Sequence, residues 1–228
     1  MLQEQRGGFT EVRGSLEWRE MTRQEVLQIA KPILFNTDMA GAILDEKKTV
    51  TRRICKDANN FTVPDMDFYD AEKRTYAVHN YADAAHTEKL STAERTCPIC
   101  PGDILYVRET WTYHENAVGG FIFKARCPKK LAESKRWYPS IHMPKEAARI
   151  FLKVTGVRVE RLQDITSGQI CREGVEVEYP HVLNGEEKRY AFSQLWNSTI
   201  KKSDLDKYGW DANPWVWVIE FERLEVEG

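Results

Sequence analysis

Between Arg149 and Leu162 the apolar residues change phase. Ile150, Leu152 and Val154 stand at even positions, whereas Val157 and Val159 stand at odd ones. Successive strand residues point to opposite faces, so an uninterrupted strand cannot bury both sets. One extra residue at Thr155-Gly156 restores a single buried face, and the segment therefore predicts a β-bulge in a sharply bent strand. Bent strands close small barrels. The chain supplies a second strong strand at Trp215-Val216-Trp217-Val218-Ile219-Glu220-Phe221-Glu222, with Trp215, Trp217, Ile219 and Phe221 on one face.

The remaining pattern flanks those strands with short helices. Pro32 to Phe35 reads as a strand, followed by Asn36 and Thr37 as cap candidates and by Met39, Ile43 and Leu44 at helical spacing, ending near Glu46. Thr49 to Ile54 reads as a strand with Val50 and Ile54 on one face and Thr49, Thr51 and Arg53 on the other. Asp103 to Trp111 reads as a strand whose apolar face, Leu105, Val107 and Trp111, is interrupted by Glu109, and Phe121 to Phe123 is its hairpin partner after Gly119-Gly120. Thr166-Ser167-Gly168-Gln169 has capping-box form, with Ile165 and Ile170 as a staple and Gly174 as a stop, which predicts a short helix carrying Glu173. Phe192, Leu195, Trp196 and Thr199 mark a longer one. The expectation is an α+β fold, a small mixed β-barrel flanked by short helices. Residues 1–30 form a polar arm, with a helix from Leu16 to Ile29, that the fold can dispense with; Met21 is an alternative start. Residues from about 56 to 100 show no sustained period and read as an irregular insertion in a domain spanning 31–228.

Charge narrows the function classes. Thirty-three Lys and Arg stand against 35 Asp and Glu, a formal net charge of −2, which excludes a uniformly basic nucleic-acid binder. No apolar run approaches the roughly 18 residues of a membrane helix, and Met1-Leu2-Gln3-Glu4-Gln5-Arg6 lacks the apolar core of a signal peptide, so no membrane association and a cytoplasmic location are expected. Five cysteines without an export signal point to reduced thiols. Cys97-Pro-Ile-Cys100 has the spacing of half a zinc knuckle, with Cys55 and Cys127 as conceivable further ligands. No second CxxC or HxxxH accompanies it, so free thiols, no metal and no cofactor are expected. P-loop, nucleophile-elbow and dinucleotide-binding motifs are absent from the sequence.

Three groupings carry chemistry. Lys47-Lys48-Thr49-Val50-Thr51-Arg52-Arg53 places four cations and two hydroxyls in seven residues. Such a set holds phosphate or carboxylate oxygens beside an activatable hydroxyl, or it is a solvated basic turn. Glu109, beside Arg108, is either paired internally or lines a cavity, since an unpaired buried carboxylate is costly. Trp137-Tyr138-Pro139-Ser140-Ile141-His142-Met143-Pro144 is a rigid loop whose aromatics suit base stacking and whose His142 suits a hydrogen bond to a base; packed aromatics with a satisfied histidine read equally well.

Taken in order, Ile43-Leu44, Lys47 to Arg53, Pro101-Gly102-Asp103-Ile104-Leu105-Tyr106-Val107-Arg108-Glu109-Thr110-Trp111, Pro139 to Pro144, Leu162-Gln163-Asp164-Ile165 and the closing Trp-rich strand resemble the ASCH domain family of the PUA-like β-barrel superfamily, in particular its longer phage and prophage members. The resemblance covers most of Lys31 to Leu224 outside Lys56 to Pro98. It implies a PUA-like barrel and binding of RNA or a modified nucleoside in a basic cleft. A small ASCH enzyme is an amidohydrolase that converts 4-acetylcytidine to cytidine and acetate with a Lys, a Thr and a Glu, which by motif matching are Lys48, Thr51 and Glu173. Arg53 would hold the substrate, with Arg108, Glu109, Trp137, Ser140 and His142 as further binding residues. Glu46 stands where the small enzyme has glycine, and Arg52 where it has an apolar residue. Other members imply alternatives: a non-catalytic RNA-binding or modified-base reader of prophage origin, or a ribonuclease.

Overall fold

The bulge forms where the alternation places it. In the computed structural model, which describes residues 21–56, 63–70, 72–82, 88–176 and 185–226, strand β9 (Phe151–Arg161) runs antiparallel to β10 (Trp215–Leu224). Gly156 stands opposite Glu220 and Val154 opposite Phe221, which leaves Thr155 as the extra residue. Leu152 and Val154 are thereby buried in the same core against which Val157 and Val159 pack.

These two strands are the middle of a five-stranded sheet ordered β1-β6-β9-β10-β2, where β1 is Lys31–Leu34, β6 is Ile104–Arg108 and β2 is Val50–Ile54. β1 joins β6 in parallel and the other pairings are antiparallel. The sheet curls on itself. Phe35, immediately after β1, lies with its ring centroid 6.4 Å from that of Phe221, although two strands separate β1 from β10. Curling brings β1 towards β2, yet among the described residues no ladder joins them, and the expected closed barrel is an open sheet. The carbonyl of Leu34 accepts from the Arg53 guanidinium, 2.7 Å from Nη2, in place of a backbone N–H. Asn36 then caps α2 (Thr37–Leu44), its side chain accepting from the Met39 N–H at 2.8 Å, and turns the chain away from the sheet.

Both faces are covered. The inner face packs Ile33, Leu105, Leu152, Trp217 and Ile219 with Ala40 and Ile43 of α2. Outside, Val50, Val216 and Val218 meet Ile170 at the end of α4 (Ser167–Arg172) and Phe192 and Trp196 of α5 (Glu186–Thr199). The capping box at Thr166 and Gln169 forms, and Phe192 and Trp196 face inward as their spacing predicts.

Three expectations need correction. The last part of the arm belongs to the fold: α1 (Arg23–Ile29) starts at a Thr22 capping box and buries Val26 and Ala30, while Arg23 Nη2 donates to the carbonyls of Glu146 and Ala148 at 2.7 and 2.9 Å. Its earlier residues, 1–20, lie outside the described residues. The insertion is not irregular. It contains an antiparallel sheet of β3 (Val63–Asp70), β4 (Thr75–Tyr81) and β5 (Lys89–Thr96). Tyr76 and Val78 of β4 enter the main core, with the Tyr76 ring edge-on to Trp217 at 4.8 Å. The stretch from Asp103 to Trp111 is two strands, because β6 stops at Arg108 and Trp111 begins β7 (Trp111–Tyr113), which pairs with β8 (Phe121–Phe123) as the glycine turn predicted. Two short helices, α3 (Lys129–Ser134) and α6 (Leu205–Tyr208), complete the fold. No helix among the described residues is long and apolar enough to cross a membrane.

Candidate ligand-binding cleft

The open edge of the sheet is a cleft. Leu34, Phe35 and Asn36 form one side, Lys48, Thr51, Arg52, Arg53 and Glu173 the floor, and Phe192, Leu195, Trp196 and Thr199 of α5 the opposite wall, around about 650 Å³ of space that opens to solvent. Four of the sequence-derived candidates, Lys48, Thr51, Arg53 and Glu173, therefore line one cleft.

Local structure explains why Lys48 and Glu173 meet. After α2 the chain reverses through Glu46, at a φ of 59°, the left-handed region that glycine occupies without strain, and the N–H groups of Lys47 and Lys48 both donate to the Ala42 carbonyl. This presents Lys48 to the C-terminal end of α4, where a single antiparallel bridge pairs it with Glu173. Gly174 permits the approach. Its φ is 81°, and a Cβ there would lie 2.9 Å from the Ala42 Cβ and 3.2 Å from the Lys48 Cβ.

Lys48 Nζ donates to Glu173 Oε2 at 2.6 Å, to the Glu173 carbonyl at 2.8 Å and to the Val50 carbonyl at 2.9 Å, with its side chain 2% exposed. The other Glu173 oxygen accepts from Arg52 Nη1 at 3.0 Å. Arg52 is itself buried and continues through Glu160 to Arg158, Glu220 and Arg172, so alternating charges run from the cleft to the outer surface. The basic turn is thus not uniformly solvated. Lys47 is exposed on Glu176, whereas Lys48 and Arg52 are buried and paired. Burial pushes the Lys48 amine below its usual value; Glu173 opposes that shift, and Arg53 and Arg52 reinforce it. Arg53 spreads over the Phe35 ring, 5.0 Å from its centroid, and Lys48 Nζ lies 5.6 Å from the same centroid. Thr51 is buried, and among the described residues its hydroxyl makes no side-chain hydrogen bond.

The other candidates do not line this cleft. Glu109 is paired internally: Arg149 grips it from Nε at 2.8 Å and Nη2 at 3.0 Å, and burial raises its carboxyl pKa against the pull of that arginine. Arg108 donates to the Ile141 carbonyl, and Trp137 Nε1 to the Ala132 carbonyl at 2.8 Å. Ser140 and His142 sit in a 3-10 turn (Ser140–His142) after Pro139, with His142 exposed. Cys97 and Cys100 are buried free thiols, and among the described residues no group of three or more His, Cys, Asp or Glu side chains is arranged to hold a metal.

Sequence reasoning missed Phe35, Phe192 and Trp196 as cleft residues and Glu160 as the half-buried partner of Arg52. Each apolar member carries the same periodic signal as a core residue, and here each serves as both. Comparison of the chain with protein-family models, with curated proteins and with solved structures finds no match.

Proposed function

We propose that the cleft binds a modified nucleoside of the acylated cytidine type and hydrolyses its amide. The observation that carries this reading is the convergence of Lys48, Thr51 and Glu173 beside Phe35 and Trp196, a polar floor under two aromatic walls. In its neutral form, towards which burial, Arg53 and Arg52 push it against the pull of Glu173, the amine of Lys48 takes the proton of Thr51. The Thr51 oxygen attacks the acetyl carbonyl, the cytosine amine leaves with a proton, and water releases acetate from the threonyl ester. Glu173, whose two oxygens contact Lys48 Nζ and Arg52 Nη1, positions both side chains. Arg53, over the Phe35 ring, flanks the base.

One observation favours a second reading, a binding protein without turnover. All three donors of a charged Lys48 are already committed, to Val50 and twice to Glu173, so proton uptake from Thr51 requires one of those bonds to open. Incubation with 4-acetylcytidine, followed by chromatography, separates the two. Cytidine formation that Lys48→Ala abolishes supports hydrolysis. Calorimetric binding without product supports the reader, while neither binding nor product, or product undiminished in Lys48→Ala, overturns both.

A further inference from the structure

Arg52 lies outside the set of Lys48, Thr51 and Glu173, yet it is held from two sides. Alternation along β2 places it on the face of Val50, opposite to Thr51 and Arg53. Its side chain is 1% exposed and all three of its nitrogens are engaged, so it has nothing to offer a ligand. Nη1 donates to Glu173 Oε1 at 3.0 Å, while Nε and Nη2 donate to Glu160 Oε1 at 3.2 and 2.5 Å. Strand register explains the second grip. β10 lies between β2 and β9 with Val218 opposite Arg52 and Val216 opposite Glu160, so the arginine reaches diagonally across β10. The other Glu160 oxygen accepts from Arg158 Nε at 3.0 Å, which fixes the carboxylate that fixes Arg52.

Lys48 and Arg52 hold different oxygens of Glu173, so either cation could lose its charge while the other keeps the carboxylate paired. A guanidinium does not deprotonate in proteins, and the loss therefore falls on Lys48. The charged groups facing Lys48 are Glu173 at the end of α4 and Arg52 and Arg53 on β2. Phe35 follows β1, and α2 and α5 turn only the uncharged Met39, Phe192, Leu195, Trp196 and Thr199 to the cleft. We infer that Arg52 is a positioning residue for Lys48: by holding the second oxygen of Glu173, it lets Lys48 work as a neutral base without leaving a buried carboxylate unpaired. Its catalytic meaning rests on the hydrolytic reading of the cleft, whereas the coupling between Arg52 and Lys48 does not.

The test follows the Lys48 Nζ resonance through a pH titration by heteronuclear NMR, beside the pH profile of kcat/KM for 4-acetylcytidine. Arg52→Met leaves Lys48 the sole cation on Glu173, and the midpoint of both curves is expected to rise by about one pH unit or more. On the acid limb that is a loss of roughly tenfold in kcat/KM. Arg52→Lys, which keeps a cation beside Glu173, is expected to return the midpoint most of the way to that of the parent. Glu160→Gln removes an anion from a half-buried site and is expected to move the midpoint down, which provides a reading should Arg52→Met fail to fold. An unmoved Lys48 midpoint in Arg52→Met, an equal rise in Arg52→Lys, or a rise in Glu160→Gln each overturns the role of Arg52. A parent that releases no cytidine overturns the hydrolytic reading and with it the catalytic role, while the NMR titration still decides the coupling.

Discussion

Lys48 Nζ lies 2.6 Å from Glu173 Oε2, and the two residues, 125 positions apart in the chain, are both almost fully withdrawn from solvent. Glu173 also neutralises Arg52, so one carboxylate answers two buried cations. Removing one partner of a buried ion pair leaves an uncompensated charge, which costs far more than the pair contributes.

Glu173→Gln is therefore expected to destabilise the fold by about 3–5 kcal/mol. Urea denaturation of the variant and parent measures it; a loss under about 1 kcal/mol would show that water reaches Lys48 and Arg52.

The Thr51 hydroxyl makes no side-chain hydrogen bond among the described residues, so replacing it by a methyl group of similar shape should leave the fold intact. Thr51→Val is expected to change stability by less than about 1 kcal/mol and to abolish cytidine release from 4-acetylcytidine, with partial recovery in Thr51→Ser. Turnover surviving in Thr51→Val would remove threonine as the nucleophile.

Asp103 ties the insertion to the main sheet, accepting from Lys31 Nζ at 2.9 Å and from Arg74 Nη1 and Nη2 at 3.0 and 2.7 Å. Burial pushes its carboxyl up, but Arg74, the Cys100 N–H and Lys31 together outweigh burial and hold it below the usual 3.8. The unfolded chain thus binds more protons in that window, so this stabilisation is present above about pH 3.8 and is lost as pH falls through the folded value. Asp103→Asn should cost about 1–3 kcal/mol near neutral pH and should flatten the acid limb of the stability profile. Parallel acid limbs for variant and parent would contradict it.

Deleting Thr155 removes the bulge residue and forces one phase on β9. Either Leu152 and Val154 or Val157 and Val159 must then leave the inner face, each buried Val or Leu being worth about 1.5–3 kcal/mol. Loss of cooperative unfolding by circular dichroism is the expected result, whereas Thr155→Ala, at an exposed site, should be nearly silent.

How much was legible depended on whether the signal was local. The phase change at Gly156, the Thr166 capping box with its Gly174 stop, and the Asn36 cap are each written within a few residues, and each formed as read. The insertion was illegible because β5, Lys89–Thr96, faces solvent along most of its length and offers no apolar alternation; its order comes from Tyr76 and Val78 docking from the neighbouring strand. Cation clustering at Lys47 to Arg53 was visible, but not which members would be buried.

What the sequence determined by itself, then, was the strands and helices that carry a local period or cap, the bend in β9 and the residue types of the basic turn, since periodicity and capping act through neighbours in the chain. Tertiary structure alone decided that the sheet stays open at Leu34 and Arg53, that Glu173 is the carboxylate answering Lys48 and Arg52, and that Glu109 belongs to Arg149. Those outcomes depend on where distant segments meet, and the cost of leaving a buried charge unpaired selects among partners that no local pattern distinguishes.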